Sequence, residues 1–280
     1  MVLGAGAIAY LAACGWLGWQ QARFLYLPFA ELQTTPNQLN LSFETVELPI
    51  GTGDAAGTLH GWWLPNPDAT QVLLYLHGNG GNISVNLAHA QRFYNMGFSV
   101  LLMDYRGYGQ SSGPFPSETR LYEDAAAFWQ YLTIEQGFSP EQIVVYGHSL
   151  GGAIAIELAT QQPDMAALIV QSSFTSMREV IRSTWYEQIF PIDLLLNQIF
   201  DSIGRVSQLQ MPVFYIHGDS DTTIPAEMSQ QLYDATASPK VLWIVPTADH
   251  NNLASIVGDE YPRRIQLFLS KQQQAAGDLP

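Results

Sequence analysis

The sequence predicts an α/β fold, in which helices cover both faces of a mostly parallel sheet of eight strands. Eight apolar runs are typical of strands and alternate with helical patterns: LSFETVELPI, GTLHGWWLP, QVLLYLHG, FSVLLMDYRG, QIVVYGHS, AALIVQSS, PVFYIHG and KVLWIVP. The third run is apolar throughout, as strands buried on both faces are. The first two flank a glycine-rich turn at 51–57, which predicts an antiparallel hairpin beside the parallel strands.

Helices are expected between the strands, over residues 86–96, 116–136, 150–161 and 261–272. Residues 174–209 interrupt the alternation with a helical pattern rich in large apolar side chains such as Trp185. Ligands bind beyond the carboxyl ends of strands in open α/β sheets, so this segment is interpreted as a short helical lid over a pocket. A helix that only packs against the core is the alternative.

The composition favours a globular domain and excludes several kinds of partner. Of the 280 residues, 47% are hydrophobic, and the formal charge is −14. Such a surface repels phosphate backbones, which excludes nucleic acid as a partner. The single cysteine, Cys14, excludes an internal disulfide and a cysteine-rich metal site. We expect no cofactor, because the glycines after LLYLHG lack the spacing of a dinucleotide-binding motif.

The first 22 residues differ from the rest of the chain. They carry no charged side chain, and as a helix they would reach about 30 Å, the thickness of a bilayer core. Trp16 and Trp19 near the end of this stretch are typical of the membrane interface. We therefore expect a membrane-associated protein with a single-pass N-terminal anchor. Arg23 favours a cytoplasmic position for the following residues, but one charge leaves the side of the membrane open.

Three alternatives to an anchor remain for this stretch. One alternative is a cleaved signal peptide, although the stretch lacks the basic residues with which signal peptides usually begin. Another is a buried helix of a globular domain. The sequence LAAC also resembles a bacterial lipoprotein cleavage box, in which Cys14 would be lipidated. Beyond residue 22 the expected organisation is a linker over 23–42, one domain over 43–272 and a tail over 273–280.

The sequence GHSLG predicts a nucleophilic serine. Gly147, Ser149 and Gly151 form a G-x-S-x-G motif between a strand-like run and a predicted helix. A strand that leads directly into a helix forces a sharp turn at the serine, and the flanking glycines avoid collisions with neighbouring backbone. The helix that follows points backbone N–H groups at the same place, so the N–H of Leu150 is expected to stabilise a developing oxyanion.

A serine needs a base, and the usual chain order of this motif is serine, acid, histidine. Only His217 and His250 follow Ser149. His250 lies after the last strand-like run and is the expected base. His217 lies at the end of an apolar strand and is interpreted as a packing residue.

Three carboxylates could orient the base: Asp219, Asp221 and Asp249. Asp249 adjoins His250, and adjacent loop residues rarely orient each other's side chains. Asp221 lies further past the strand end than Asp219 and can reach back over the edge. We therefore favour Asp221 and keep Asp219 as the alternative. The acid would hold the imidazole's tautomer and stabilise the imidazolium.

The loop HGNGGN is expected to supply the second oxyanion donor. It follows the third strand, where this donor is found, and its glycines let the backbone approach a substrate. We expect the N–H of Asn79 to act together with the N–H of Leu150. His77 has no partner at metal-ligand spacing, so it is interpreted as a residue that braces the loop, and no metal site is expected.

These motifs occur in the order typical of the α/β-hydrolase superfamily, which the chain resembles over 43–269. The further motifs are DYRGYGQSSG, in which Arg106 and Tyr108 are taken as structural, and DHNN. The closest likeness is to membrane-anchored α/β-hydrolase-domain serine hydrolases, a group that includes protein depalmitoylases, and QARFLYLP resembles their segment after the N-terminal apolar stretch. The resemblance implies Ser149 as nucleophile, Asp221 as acid, His250 as base and Asn79 as oxyanion donor.

Two departures limit what the resemblance implies. Depalmitoylases of this group carry an N-terminal cysteine cluster, whereas this chain has only Cys14. Family members also often have glycine before the catalytic histidine, where this chain has Asp249. A protein-depalmitoylating role is therefore not carried over.

The expected function is hydrolysis of a carboxylic ester or thioester, through an acyl-enzyme on Ser149. The anchor and the apolar lid favour apolar, lipid-like acyl substrates, and no obligate protein partner is evident. One alternative is a serine peptidase of the aminopeptidase kind on the same fold. Another is an interaction protein that keeps the fold without catalysis.

Overall fold

One twisted sheet of eight strands organises the computed structural model, which describes the backbone of residues 2–277 and the side chains of 4–271. Two further short strands, β1 Leu27–Pro28 and β5 Gly80–Gly81, pair with each other. The eight strands of the large sheet are β2 Glu44–Ile50, β3 Gly57–Leu64, β4 Val72–Leu76, β6 Ser99–Asp104, β7 Ile143–His148, β8 Ala167–Gln171, β9 Val213–Gly218 and β10 Lys240–Val245.

The order across the large sheet is β10-β9-β8-β7-β4-β6-β3-β2. The strands from β10 to β6 are parallel to one another, whereas β3 pairs antiparallel with both β6 and β2. The α/β-hydrolase fold expected from the sequence is therefore confirmed, with eight strands, a mostly parallel sheet and the predicted hairpin at one edge.

Helices cover both faces of this sheet. The helices of the described residues are α1 Val2–Leu25, α2 Ile83–Asn95, α3 Glu118–Gln130, α4 Leu150–Gln161, α5 Met177–Arg182, α6 Ile192–Leu195, α7 Ala226–Ala235, α8 Leu253–Val257 and α9 Glu260–Gly277. A π-helical turn and five short 3₁₀ turns complete the set: Tyr131–Glu135, Pro36–Leu39, Gly53–Ala55, Pro140–Gln142, Trp185–Gln188 and Val206–Gln208. Helix α7 was not predicted from the sequence, where PVFYIHG and KVLWIVP were joined without a helix.

The core lies in two layers, one on each face of the sheet. Along β4, residues 72, 74 and 76 contact the layer formed with α3 and α4, and residues 73 and 75 contact the layer formed with α2 and α9. This alternation follows from the two-residue period of a strand. Because both faces are covered, β4 is buried along its whole length, as its continuous apolar sequence predicted.

Helix α1 occupies the stretch in which the sequence predicted a single-pass anchor. In the described part of the chain, no helix combines the length and the apolar character that crossing a bilayer requires. The thiol of Cys14, the lipidation candidate, is buried.

The residues after α1, assigned to a linker from the sequence, lie against the loop that follows β4. Strand β1 pairs in parallel with β5, where Leu27 is opposite Gly80. The carbonyl of Phe29 accepts hydrogen bonds from the N–H of Gly109, at 3.0 Å, and from Nδ2 of Asn82, at 2.9 Å. The N-terminal segment is thus attached to the carboxyl edge of the sheet.

Candidate active site

Ser149 lies on a sharp turn between β7 and α4. Its backbone has φ 54° and ψ −118°, a strained conformation for a residue with a side chain. A Cβ at Gly147 would collide with the carbonyl of Gly151, and one at Gly151 would collide with the carbonyl of Leu76. Both glycines of the motif are therefore required by close backbone packing, which is the reason inferred from the sequence.

Neighbouring strands hold the backbone of this turn. The N–H of Ser149 donates to the carbonyl of Gln171 at the end of β8, at 2.9 Å. The carbonyl of Ser149 accepts from Oγ of Ser173, at 2.8 Å. These bonds fix the serine at the carboxyl edge of the sheet, where α4 begins at Leu150.

Asp221 and His250 meet at the same edge. Asp221 follows β9, His250 follows β10, and Nδ1 of His250 lies 2.6 Å from Oδ2 of Asp221. The other carboxylate oxygen, Oδ1, accepts from the N–H groups of Thr223 and Ile224, both at 2.8 Å. Ser149 and His250 line one cavity, so the structure brings the three predicted side chains to one place.

The environment of Asp221 keeps its carboxyl group ionised. Burial raises its pKa, but hydrogen bonds from His217, His250 and the N–H of Ile224 lower the pKa more, and the net shift is well below the usual value. An ionised acceptor at Oδ2 places the imidazole proton on Nδ1 of His250. The lone pair on Nε2 is then free to accept a proton.

His217 has a role that the sequence analysis missed. Its Nε2 lies 3.1 Å from Oδ2 of Asp221 and 2.9 Å from the carbonyl of Ile224, and both of these atoms are acceptors. Nε2 therefore carries the proton, and Nδ1 accepts from Oγ of Ser229, at 2.7 Å. The interpretation as a packing residue was incomplete, since His217 also orients the acid. The four-residue spacing of His217 and Asp221 was the signal available.

The other two carboxylates considered from the sequence contact backbone groups. Oδ1 of Asp219 accepts from the N–H of Thr247, at 2.7 Å. Oδ1 of Asp249 accepts from the N–H of His250, at 2.7 Å, and from the N–H of Thr222, at 3.3 Å. Both shape the loops that carry the acid and the base.

The loop after β4 passes directly over the serine. A Cβ built at Gly78 would lie 3.4 Å from Cβ of Ser149. The next residue, Asn79, uses its side chain to hold the N-terminal segment: Nδ2 donates to the carbonyl of Leu25, at 2.5 Å, and Oδ1 accepts from the N–H of Leu27, at 3.2 Å. Oδ1 also accepts from the hydroxyl of Tyr108, at 2.9 Å.

His77 braces this loop, as the sequence analysis expected. Its Nδ1 donates to the carbonyl of Gly78, at 2.7 Å, and its Nε2 lies 3.4 Å from Oδ1 of the buried Asp104. The same oxygen accepts from the N–H of Ile83 at the start of α2. Burial raises the pKa of Asp104, but contacts with His60, His77 and this N–H lower it more, so the net shift is downward. Asp104 thus holds the start of α2 beside the loop that His77 braces.

The cavity beside Ser149 has a volume of about 570 Å³. Its walls come from the loop after β4, from α2, and from the loops that carry Asp221 and His250. Among the described residues, no group of three histidine, cysteine or acidic side chains is arranged to hold a metal ion.

A serine on a strained strand-to-helix turn, at the carboxyl edge of a parallel sheet, defines the class of α/β hydrolases. A family model described as serine aminopeptidase, S33, matches residues 67–203, a segment that contains Ser149 and ends before Asp221. The chain belongs to the α/β-hydrolase superfamily and is a serine α/β hydrolase.

Relatives extend the match along most of the chain. An uncharacterized protein of Mycobacterium tuberculosis is 35% identical over 272 residues, covering 95% of this chain and 94% of that protein. An uncharacterized membrane protein of Saccharomyces cerevisiae is 32% identical over 244 residues, covering 84% and 82% respectively. An esterase of Pyrococcus furiosus superposes with a TM-score of 0.69 at 21% identity, over 88% of this chain and 98% of the esterase, and shows the shared fold.

Proposed function

We propose that this chain hydrolyses carboxylic esters or thioesters, with Ser149 as nucleophile, His250 as base and Asp221 as the acid that orients the base. One observation carries the proposal. The strained serine shares a cavity with an imidazole whose Nδ1 is held at 2.6 Å by a buried carboxylate.

In the first step, Nε2 of His250 takes the proton of the Ser149 hydroxyl as Oγ attacks the acyl carbon. The tetrahedral intermediate carries a negative charge, which the N–H groups of Leu150 and Asn79 stabilise; each such donor is worth about 2.7–4 kcal/mol in barrier height. His250 then gives the proton to the leaving alcohol or thiol, and the acyl group stays on Ser149. Asp221 stays ionised throughout and stabilises the imidazolium.

In the second step, water replaces the leaving group. His250 takes a proton from the water as its oxygen attacks the acyl carbon, and the same two N–H groups hold the oxyanion. Collapse of this intermediate breaks the bond to Oγ, and His250 returns the proton to Ser149. The products are a carboxylic acid and the regenerated enzyme.

An apolar groove near the N-terminal helix favours substrates with an apolar acyl group. It has a volume of about 300 Å³ and lies between α1 and the segment 181–196, with Leu17, Phe24, Phe190 and Leu196 in its walls. Leu25 lines the groove and Asn79 lines the catalytic cavity, and the carbonyl of Leu25 accepts a hydrogen bond from Nδ2 of Asn79, which links the two walls. We therefore assign residues 174–209 the role of a lid that covers the acyl chain.

Peptide hydrolysis is the second candidate, because the matching family model is described as a serine aminopeptidase. An aminopeptidase needs an acidic group that captures the substrate's free amine. Among the described residues, neither aspartate nor glutamate lines the catalytic cavity. The cavity chemistry therefore favours esters over aminoacyl substrates.

Association with a membrane is also part of the proposal, with α1 lying at the interface. Five large apolar side chains of this helix are more than half exposed, at 53–79%: Ile8, Leu11, Trp16, Trp19 and Phe24. Exposed aliphatic and tryptophan side chains gain free energy when they are buried at the boundary of headgroups and acyl chains. The yeast relative described as a membrane protein supports the same location.

Purified protein assayed with p-nitrophenyl acyl esters of increasing chain length, and with leucine p-nitroanilide, tests the proposed reaction. We expect turnover of the esters, loss of that turnover in Ser149→Ala, and no turnover of the anilide. Because each buried methylene is worth about 0.8 kcal/mol, kcat/KM should rise about fourfold per methylene until the groove is full. Preference for the anilide would contradict the proposal, and so would ester turnover that persists in Ser149→Ala.

A further inference from the structure

The walls of the catalytic cavity differ in chemistry from the apolar groove. Hydrogen-bonding side chains line the cavity around Ser149, among them the amides of Asn86 and Asn251 and the imidazoles of His89 and His148. Among the residues that the structure describes, no lysine, arginine, aspartate or glutamate belongs to this lining. The cavity is therefore formally uncharged, and it carries hydrogen-bonding groups beside apolar ones.

The two imidazoles are neutral near pH 7. Burial lowers the pKa of His148 to about 4, and the neighbouring His250 adds to this shift. Burial, reinforced by His148 and Arg92, lowers the pKa of His89 to about 3. A neutral imidazole has one hydrogen-bond donor and one acceptor, so it can bind a hydroxyl group in either role. It has no charge that would balance a bound carboxylate or ammonium group.

Helix α2 brings two of these groups to the wall. Asn86 and His89 are three residues apart and therefore lie on the same face of the helix. The hydroxyl of Tyr75 lies 3.0 Å from Nδ1 of His89 and 3.4 Å from Oδ1 of Asn86, which fixes both side chains. The remaining ring nitrogen, Nε2 of His89, is buried and has no hydrogen-bond partner within the described chain.

A buried polar atom without a partner costs free energy unless a bound group satisfies it. His148 adds a second site: its Nε2 donates to the carbonyl of His250, at 3.1 Å, which leaves Nδ1 as an acceptor. The cavity thus carries unused hydrogen-bonding capacity next to the nucleophile, and it carries no compensating charge for an ion.

We propose that this cavity binds an uncharged, hydroxyl-bearing part of the substrate, next to the ester bond. The inference rests on the proposed ester hydrolysis and adds a substrate class to it: esters that combine an apolar acyl chain with free hydroxyl groups, as in partial esters of glycerol or esters of hydroxy acids. Asn86 and His89 are the specificity-determining residues.

Three esters of the same skeleton test this assignment with the full chain. Propyl butyrate is the reference, glyceryl monobutyrate places hydroxyls on the alcohol side, and propyl β-hydroxybutyrate places one on the acyl side. We expect kcat/KM for one of the two hydroxylated esters to exceed that of the reference by about tenfold or more, since one net hydrogen bond is worth about 1 kcal/mol and several are available.

Two substitutions in α2 separate recognition from folding. Asn86→Leu keeps a branched side chain and His89→Phe keeps an aromatic ring, and both should lower the preference for the hydroxylated ester about tenfold, because each removes a hydrogen-bonding group. Asn95→Leu makes the same chemical change at an exposed position at the end of the same helix, and should leave the preference unchanged. Melting followed by circular dichroism shows that each variant is folded.

Two results would overturn the inference while leaving the proposed function in place. The first is turnover of propyl butyrate that equals or exceeds turnover of both hydroxylated esters. The second is a preference that survives both α2 substitutions in folded protein. Absence of turnover with all three esters would overturn the proposed ester hydrolysis together with this inference.

Discussion

At the scale of single residues, the site depends on one carboxylate that contacts two imidazoles. Oδ2 of Asp221 faces both His250 and His217, while its Oδ1 is held by two backbone N–H groups. The side chain therefore cannot rotate without breaking several hydrogen bonds. This arrangement fixes the proton of His250 on Nδ1, which is the tautomer that the proposed mechanism requires.

Replacing Asp221 by asparagine tests this role. The amide would present a donor or a weaker acceptor to Nδ1, which favours the wrong tautomer, so we expect kcat for a p-nitrophenyl ester to fall about 10³- to 10⁴-fold. Asp219→Asn is the matched control on the same loop. It removes a charge that contacts the N–H of Thr247, and we expect a loss of less than about tenfold. Equal losses in the two variants would contradict the assignment of the acid.

At the scale of helices and strands, the sequence predicted the strands best. Strand β4 is apolar throughout because both of its faces are covered. The turn at Ser149 is flanked by glycines because neighbouring backbone approaches it closely. Both elements can therefore be recognised from a short stretch of sequence. Helix α7 has only 10 residues, fewer than the window of about 11–18 residues over which a helical period is recognised, and it buries only Met228, Ser229 and Leu232.

The bounds of α2 show a second limit of sequence reasoning. The helix begins at Ile83 rather than residue 86, because the side chain of Asn82 accepts from the N–H of Ser84 and caps the first turn. Asn82 also holds two carbonyls of the N-terminal segment, which is more than fifty residues away in sequence. Contacts between residues so far apart, like those of Asn79 with Leu25 and Leu27, leave no pattern in the nearby sequence from which they could be predicted.

Exposed apolar side chains of α1 are expected to attach the protein to a membrane surface. Leu11→Gln combined with Trp19→Gln should reduce flotation of the protein with phosphatidylcholine vesicles about tenfold or more, because each side chain contributes about 1.5–3 kcal/mol when buried in an apolar phase. Ile134→Gln, at an exposed apolar position elsewhere, should not change flotation. Equal flotation of the α1 variant and the wild-type protein would contradict an interfacial role for α1.

At the scale of the whole molecule, the sheet gathers residues that lie a hundred positions apart. Parallel strands place their carboxyl ends at one edge, so Ser149 after β7, Asp221 after β9 and His250 after β10 converge there. The sequence could predict this convergence from motif order. It could not predict the neutral polar cavity, because that cavity depends on how α2 packs against the sheet.

The charge on Asp221 also links the site to the stability of the whole chain. Its folded-state pKa is depressed below the unfolded value of about 3.9, so its contribution is present above about pH 4 and is lost as the pH falls through the folded pKa. Urea unfolding at pH 5 and pH 3 should show that the free-energy difference between the wild-type protein and Asp221→Asn shrinks at the lower pH. Asp54→Asn removes an exposed carboxylate and is the control for the effect of net charge. A difference in unfolding free energy between the wild-type protein and Asp221→Asn that does not change with pH would contradict the link between the charge on Asp221 and stability.

Covalent labelling with a fluorophosphonate, located by peptide mass spectrometry, tests the claim that Ser149 is an activated nucleophile. The proposed arrangement of Ser149, His250 and Asp221 predicts one adduct, on the peptide that contains Ser149, and slower labelling in His250→Ala. Folded protein that stays unlabelled, or that labels as well when Ser149 is alanine, would contradict the claim.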